Sequence, residues 1–257
     1  MFPYRDENPA EHSPFVTIAL ILLNVLAWVF VQGLGADEAA MASSLCNWGL
    51  IPGELTGKAA GALVPLTPQF ECQVDAQANW LTLITMQFLH GGWLHLIGNM
   101  LFLWVFGNNI EDSMGHVRFL FFYLACGLAA AAAQMLANPA SPIPAVGASG
   151  AVSGVLGAYL LLFPRVRVWM IVPIFIFLTR IALPAWMYLI YWIVVQFLSG
   201  IGDTLARSGG EVSGGGVAFW AHVGGFVAGM VLIHFLVRPE RLERKHHRER
   251  FHPWTVT

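Results

Sequence analysis

Six stretches of this chain carry enough consecutive apolar residues to cross a bilayer, and that pattern limits the fold more than any other feature. A hydrocarbon core about 30 Å thick takes about 20 mostly apolar residues per helix. Within lipid every backbone N–H and C=O must be satisfied inside the segment, which selects helices. The stretches fall roughly at residues 15–33, 92–109, 117–137, 147–163, 184–201 and 219–237. With 57% hydrophobic and 11% charged residues, the chain lies far from the roughly 25% charged content of soluble domains. The pattern predicts an all-α integral membrane protein, a bundle of six transmembrane helices.

A further apolar run, Val168 to Leu178, is about half a span long and is bounded by Arg167 and Arg180. Its length predicts an interfacial or partly re-entrant segment. Orientation follows from the cations, because cytoplasmic connections retain Lys and Arg. With the N-terminus inside, the inner segments hold Arg5, Arg118, Arg165, Arg167, Arg180, Arg238, Arg241, Arg244, Lys245, Arg248 and Arg250, and the outer loops hold only Lys58 and Arg207. Both termini are therefore expected in the cytoplasm, and a seventh span would turn the basic tail outward. The expected organisation is a short N-terminal segment (1–14), a membrane domain (15–237) with a large outer loop (35–79), and a basic tail (238–257). The first apolar stretch differs from a signal peptide in its leading charges, Arg5 against Asp6, Glu7 and Glu11, and is expected to stay as a helix.

Helices two, four and six all run from outside to inside in this arrangement. His95 and Asn99 stand early in helix two, Ser149 opens helix four, and His222 stands early in helix six. Four polar side chains from three helices thus reach one depth near the outer face. His95 and Asn99 are four apart and share a helix face. A serine and a histidine brought together in this way suit acyl transfer, with Ser149 attacking a peptide carbonyl and His222 moving its proton to the leaving amine. His95, Asn99 and the backbone N–H of Ser149 at a helix N-terminus are the candidate oxyanion donors. Every Asp and Glu lies in a tail, loop or helix end, so the expectation is a Ser-His dyad and not a triad.

Gly150, Gly154 and Gly157 on helix four and Gly225 and Gly229 on helix six allow close backbone approach. The same residues fit plain helix packing, and each histidine alone fits a helix-helix hydrogen bond. Only their joint depth favours chemistry.

The segments Phe88-Leu89-His90-Gly91-Gly92-Trp93-Leu94-His95-Leu96-Ile97-Gly98-Asn99-Met100, Gly147-Ala148-Ser149-Gly150 and Ala221-His222-Val223-Gly224-Gly225-Phe226 resemble, in order, those of the rhomboid intramembrane serine proteases. The resemblance runs from about Trp80 to Gly229. It implies Ser149 as nucleophile, His222 as general base, and His95 with Asn99 at the oxyanion hole. It also implies cleavage of other proteins' transmembrane helices near their outer ends, often after a small residue, and a loop-shaping role for His90. Two positions depart from the family pattern. Asn79-Trp80-Leu81 keeps a tryptophan but lacks the arginine that often follows it, and Ser153 stands where some members stack an aromatic ring on the catalytic imidazole.

Glu111 and Asp112 follow helix two, where a hydrogen-bonded turn is expected. His116, His234, His246, His247 and His252 lie on the cytoplasmic side, away from Ser149. No His-Glu-x-x-His signature occurs, so neither metal nor cofactor is expected. Partners are transmembrane protein substrates and the lipid bilayer. The net charge of -2, with its one basic cluster at the C-terminus, gives no footprint for nucleic acid. Small-residue faces serve internal packing as readily as self-association, and no oligomeric state is assigned.

An inactive rhomboid-like scaffold that binds transmembrane clients is the alternative function, but it would not need both Ser149 and His222. A transporter or proton channel would be expected to carry intramembrane carboxylates. Small size and no evident transit peptide point to a bacterial plasma membrane, with the mitochondrial inner membrane as the other candidate. The glycine-rich connection 209–216 fits either a cap over the site or a plain linker. Cys46 and Cys72 share the outer loop, and both a disulfide and two free thiols fit the sequence.

Overall fold

Proline and glycine punctuate the apolar runs, and the helices start and stop at that punctuation. The computed structural model describes residues 2–67, 69–174, 177–208 and 217–243. In chain order the elements are β1 (Phe2–Asp6), α1 (Phe15–Phe30), α2 (Glu38–Trp48), α3 (Pro52–Leu55), β2 (Leu63–Pro65), β3 (Glu71–Gln73), α4 (Thr82–Thr85), α5 (Trp93–Phe102), α6 (Asn108–Met114), α7 (His116–Ala137), α8 (Ser149–Leu162), β4 (Arg167–Ile174), β5 (Phe177–Pro184), α9 (Ala185–Ser208) and α10 (Phe219–Leu236). A π-helical stretch, Leu103–Gly107, joins α5 to α6.

The chain is mostly helical, but the expected all-α architecture and six spans carry over only in part. Among the described residues, three helices are long and apolar enough to cross a membrane: α7, the 185–206 part of α9, and α10. A fourth results if Thr82–Phe88 and Trp93–Met114, bent by 92°, form one broken span. Phe15–Phe30 and Ser149–Leu162 are shorter apolar helices. Apolar side chains project outward from these helices, among them Leu22 and Leu26 of α1, Phe121 of α7, Val195 and Leu198 of α9 and Phe235 of α10. Such exposure suits lipid and not water.

The run at Val168, expected as an interfacial or partly re-entrant segment, takes the form of a strand. Val166, Val168 and Met170 are buried, while Arg167 between the first two is exposed and Trp169 between the last two is half-buried, the two-residue alternation of a half-buried strand. Strands β4 and β5 pair antiparallel from Arg167 opposite Pro184 to Ile174 opposite Phe177. The N-terminal β1 adds to the free edge of β4, giving the order β1-β4-β5. Side chains reinforce this attachment. Trp169 Nε1 donates to Glu7 Oε1 at 2.8 Å, the Arg5 guanidinium lies 5.2 Å from the Trp169 ring centroid, and Asn109 Nδ2 donates to Asp6 Oδ2 at 2.8 Å.

The 35–79 segment is folded. Asp37 caps α2 by accepting the Ala40 N–H at 3.0 Å, and a disulfide joins Cys46 of α2 to the fully buried Cys72 of β3, with Cα atoms 5.5 Å apart. This pairing resolves the two alternatives that the sequence left open. The segment is tied to the bundle without the arginine missing at position 81. Glu54 accepts the Asn79 N–H at 3.1 Å, Thr85 Oγ1 donates to the Trp48 carbonyl at 2.8 Å, and Leu50 exchanges both backbone bonds with Ala145 just before the Ser149 turn.

At the far end of α5 and α6, Glu111 receives the start of α1. Its Oε1 accepts the Val16 N–H at 2.9 Å, and its Oε2 accepts the Thr17 N–H and hydroxyl, each at 2.7 Å. Helix α1 has no side-chain cap of its own, so this carboxylate satisfies amides that a helix start leaves open. Asp112 accepts the Glu11 N–H at 2.8 Å and meets His12 Nδ1 at 2.7 Å. Both acids stand within α6, where a hydrogen-bonded turn was expected, and these hydrogen bonds go to the segment that opens α1.

Candidate active site

Helices α8 and α10 pack backbone to backbone, and the glycines make that possible. A Cβ added at Gly225 would fall on the Gly150 carbonyl, one at Gly229 on the Gly154 carbonyl, and one at Gly157 on the Phe226 carbonyl. On its other flank α10 meets α7, where Gly224 lies against Ala133. No side chain separates α8 from α10 at these levels, so Ser149 at the first position of α8 and His222 in the first turn of α10 reach one another directly. Ser149 Oγ and His222 Nε2 are 2.8 Å apart.

The opposite nitrogen of that ring is also engaged. His222 Nδ1 lies 2.7 Å from Gln196 Oε1 on α9, and the Trp192 ring one turn earlier lies 5.8 Å from the imidazole, tilted 39°. An amide oxygen only accepts, so Nδ1 carries the proton and Nε2 presents its lone pair to the Ser149 hydroxyl. Ser153, in the position where an aromatic ring was absent, turns back along its own helix and donates to the Ser149 carbonyl at 2.5 Å.

His95 approaches from α5. A side chain at Gly147 would overlap its Cε1 and Nε2, at 2.7 and 2.8 Å from the added carbon, and would stand 3.3 Å from Ser149 Oγ. Gly147 therefore fills the gap between His95 and Ser149, and its φ of +133° is one that glycine adopts freely. Its N–H donates to the Met86 carbonyl at 2.9 Å. His95 Nδ1 accepts the Gly91 N–H at 3.3 Å, which places the ring proton on Nε2, the nitrogen nearer Gly147. Asn99 shares the face of His95 and is buried, but one amide N–H is spent on the His95 carbonyl at 3.0 Å. The structure thus brings Ser149, His222, His95 and Gly147 together, with Asn99 behind His95.

His90 lies beneath. It is fully buried, its ring set edge-on to His95 with centroids 5.1 Å apart, and its backbone is clamped by Gln32, which accepts the His90 N–H and donates to the His90 carbonyl, both at 2.8 Å. A small cavity beside Ser149 is lined by Leu50, Met86, Gln134, Ala145, Gly147 and Ala218. The connection 209–216, which the sequence allowed as a cap, lies outside the described residues, as do His246, His247 and His252.

Sequence reasoning missed Gln196, Gln32 and Gln134. For Gln196 a signal existed, because it is the only amide in the run Trp192–Leu198, and a lone polar side chain in an apolar span needs a partner. Gln32 and His90 are separated by 58 positions with no local motif to join them.

The model of the Rhomboid domain matches residues 77–239. The chain belongs to the rhomboid family. Among curated relatives, it is 43% identical over 90 residues to Rhomboid protease GluP of Bacillus subtilis, covering 35% of this chain and 17% of the relative. It is 33% identical over 168 residues to RHOMBOID-like protein 5 of Arabidopsis thaliana, covering 65% and 47%. It is 30% identical over 163 residues to Rhomboid protein 1, mitochondrial, of Saccharomyces cerevisiae, covering 62% and 42%. The chain spans less than half the length of each of these relatives. Rhomboids are integral membrane proteins, and the apolar helices of this one fit that setting.

Proposed function

We propose that this rhomboid is an intramembrane serine endopeptidase that cleaves transmembrane segments of other membrane proteins near the outer face. The observation that carries the reading is the 2.8 Å approach of Ser149 Oγ to His222 Nε2, with the far nitrogen of the ring already bonded. In the reaction Ser149 Oγ bonds to the scissile carbonyl carbon as its proton passes to His222 Nε2. The negative charge that develops on the carbonyl oxygen meets His95 Nε2–H and the open backbone N–H groups of the first turn of α8, joined by Asn99 once its amide turns from the His95 carbonyl. Collapse breaks the C–N bond, and the proton on Nε2 goes to the leaving amine. Water then repeats the sequence on the acyl-serine and restores the hydroxyl.

The cavity between Met86, Gln134 and Ala145 beside Ser149 suits a small side chain ahead of the scissile bond. The site lies at the α8 and α10 N-terminal ends, and the cation distribution supports an outer-face position for it, with both termini and the basic 238–257 tail on the cytoplasmic side. A bacterial plasma membrane is the proposed location. The test is cleavage of a transmembrane reporter in proteoliposomes, with fluorophosphonate labelling. Wild-type protein cleaves and is labelled on Ser149, while Ser149→Ala still binds the reporter and does neither. Cleavage by Ser149→Ala would overturn the reading.

A further inference from the structure

At the level of His222, helix α9 turns an amide toward the bundle, about two turns before Thr204, which accepts the Trp220 indole N–H at 3.0 Å. Tyr191, Val194, Val195, Phe197 and Leu198 face outward, while Trp192 and Gln196, four residues apart on one face, both meet the His222 ring. Nothing on α8 does the same work, because Ser153 is turned onto the Ser149 carbonyl. Besides α8 and α9, the element facing His222 with a titratable group is α5, through His95, whose Nδ1 is occupied by Gly91. The orientation of the base therefore depends on an amide from the least enclosed of the three long apolar helices.

We infer that Gln196 is the positioning residue of the catalytic base, its Oε1 holding the proton on His222 Nδ1 and the ring in the plane from which Nε2 meets Ser149. The inference rests on the serine-peptidase reading above. An amide can do this without adding charge. It selects the tautomer and the ring plane, the two functions that a carboxylate performs in a triad, and leaves the basicity of the imidazole untouched by a neighbouring anion. It also makes the base sensitive to the seating of α9, because withdrawal of that helix would free the ring to rotate and to exchange tautomers.

The experiment compares wild type, Gln196→Leu and Gln196→Glu in proteoliposomes. It records kcat, KM and the pH profile of kcat/KM on a transmembrane reporter, together with the rate of fluorophosphonate labelling. Leucine keeps the bulk and removes the acceptor. It is expected to lower kcat and the labelling rate by roughly 10-fold to 10²-fold, the scale of a misplaced catalytic group, with KM changed by less than about 2-fold. Glutamate keeps an acceptor at the same reach and adds charge that favours the imidazolium. Because the protonated ring cannot act as base, activity in Gln196→Glu is then lost at higher pH, moving the acid limb up by about one unit while kcat at alkaline pH stays above that of the leucine variant. Wild-type kcat in Gln196→Leu, or an unmoved acid limb in Gln196→Glu, would overturn the inference. Should Gln196→Leu fail to fold, the acid limb of Gln196→Glu decides alone. A wild-type protein that neither cleaves nor labels is a separate outcome, which removes the serine reading itself.

Discussion

The Gly150 carbonyl occupies the place that a Cβ on Gly225 would need, so the two helices bearing Ser149 and His222 touch through their main chains. Gly225→Ala forces α8 and α10 apart. The expected cost is about 1–3 kcal/mol of stability, with loss of most Ser149 labelling, because the 2.8 Å approach has no slack. Thermal unfolding in detergent and labelling at saturating reagent check both effects. Gly202→Ala on α9 is the control, since nothing lies within 4 Å of a Cβ there. It is expected to leave stability unchanged or raise it by up to about 1 kcal/mol.

Ser149 and His222 act as one unit in the proposed chemistry, so their effects should not add. Ser149→Ala, His222→Ala and the double variant are expected to show nearly equal residual rates. Asn99→Ala is expected to lose roughly 10²-fold or less, because in the proposed mechanism His95 and backbone N–H groups share the oxyanion load. A double variant far slower than either single one in the reporter assay would contradict the shared role.

The Cys46–Cys72 bridge joins positions 26 apart, and in the chain-entropy model a loop of that size contributes about 3.5 kcal/mol. Cys46→Ser is expected to lower the unfolding free energy by about that amount while Cys126 stays unreactive in its buried position. Alkylation without reductant followed by mass spectrometry checks the bridge. Full modification of Cys46 and Cys72 in protein taken from an oxidising compartment would show that it does not form.

Glu111→Gln removes the charge that binds two backbone amides and a hydroxyl. The expected destabilisation is about 1.5–3 kcal/mol, with the labelling rate of the folded fraction unchanged because α1 contributes no group to the Ser149 pair. A slower rate in fully folded Glu111→Gln would show that the two ends of the bundle are coupled.

How much of this was legible depends on whether the relevant partners are near in sequence. His95 and Asn99 are one helical turn apart, and Ser149 and His222 each sit beside the glycines that admit them, so local spacing suggests their convergence. The β1-β4-β5 sheet is hard to read from the sequence because the alternation that marks β4, from Val166 to Met170, is short and lies inside an otherwise apolar run. Its first strand comes from the other end of the chain. Gln196 and Gln32 were missed for the same physical reason. Each completes a residue on a different element, and tertiary packing, not periodicity, selects the partner.

The carboxylate at position 111 also sets an order of events during synthesis. The amides of Val16 and Thr17 stand 95 and 94 positions ahead of the side chain that receives them. Helix α1 therefore leaves the ribosome with its first turn still open. Until α6 has followed, those amides lack the carboxylate that receives them, so the first turn of α1 cannot be locked in place before residue 111 has been made.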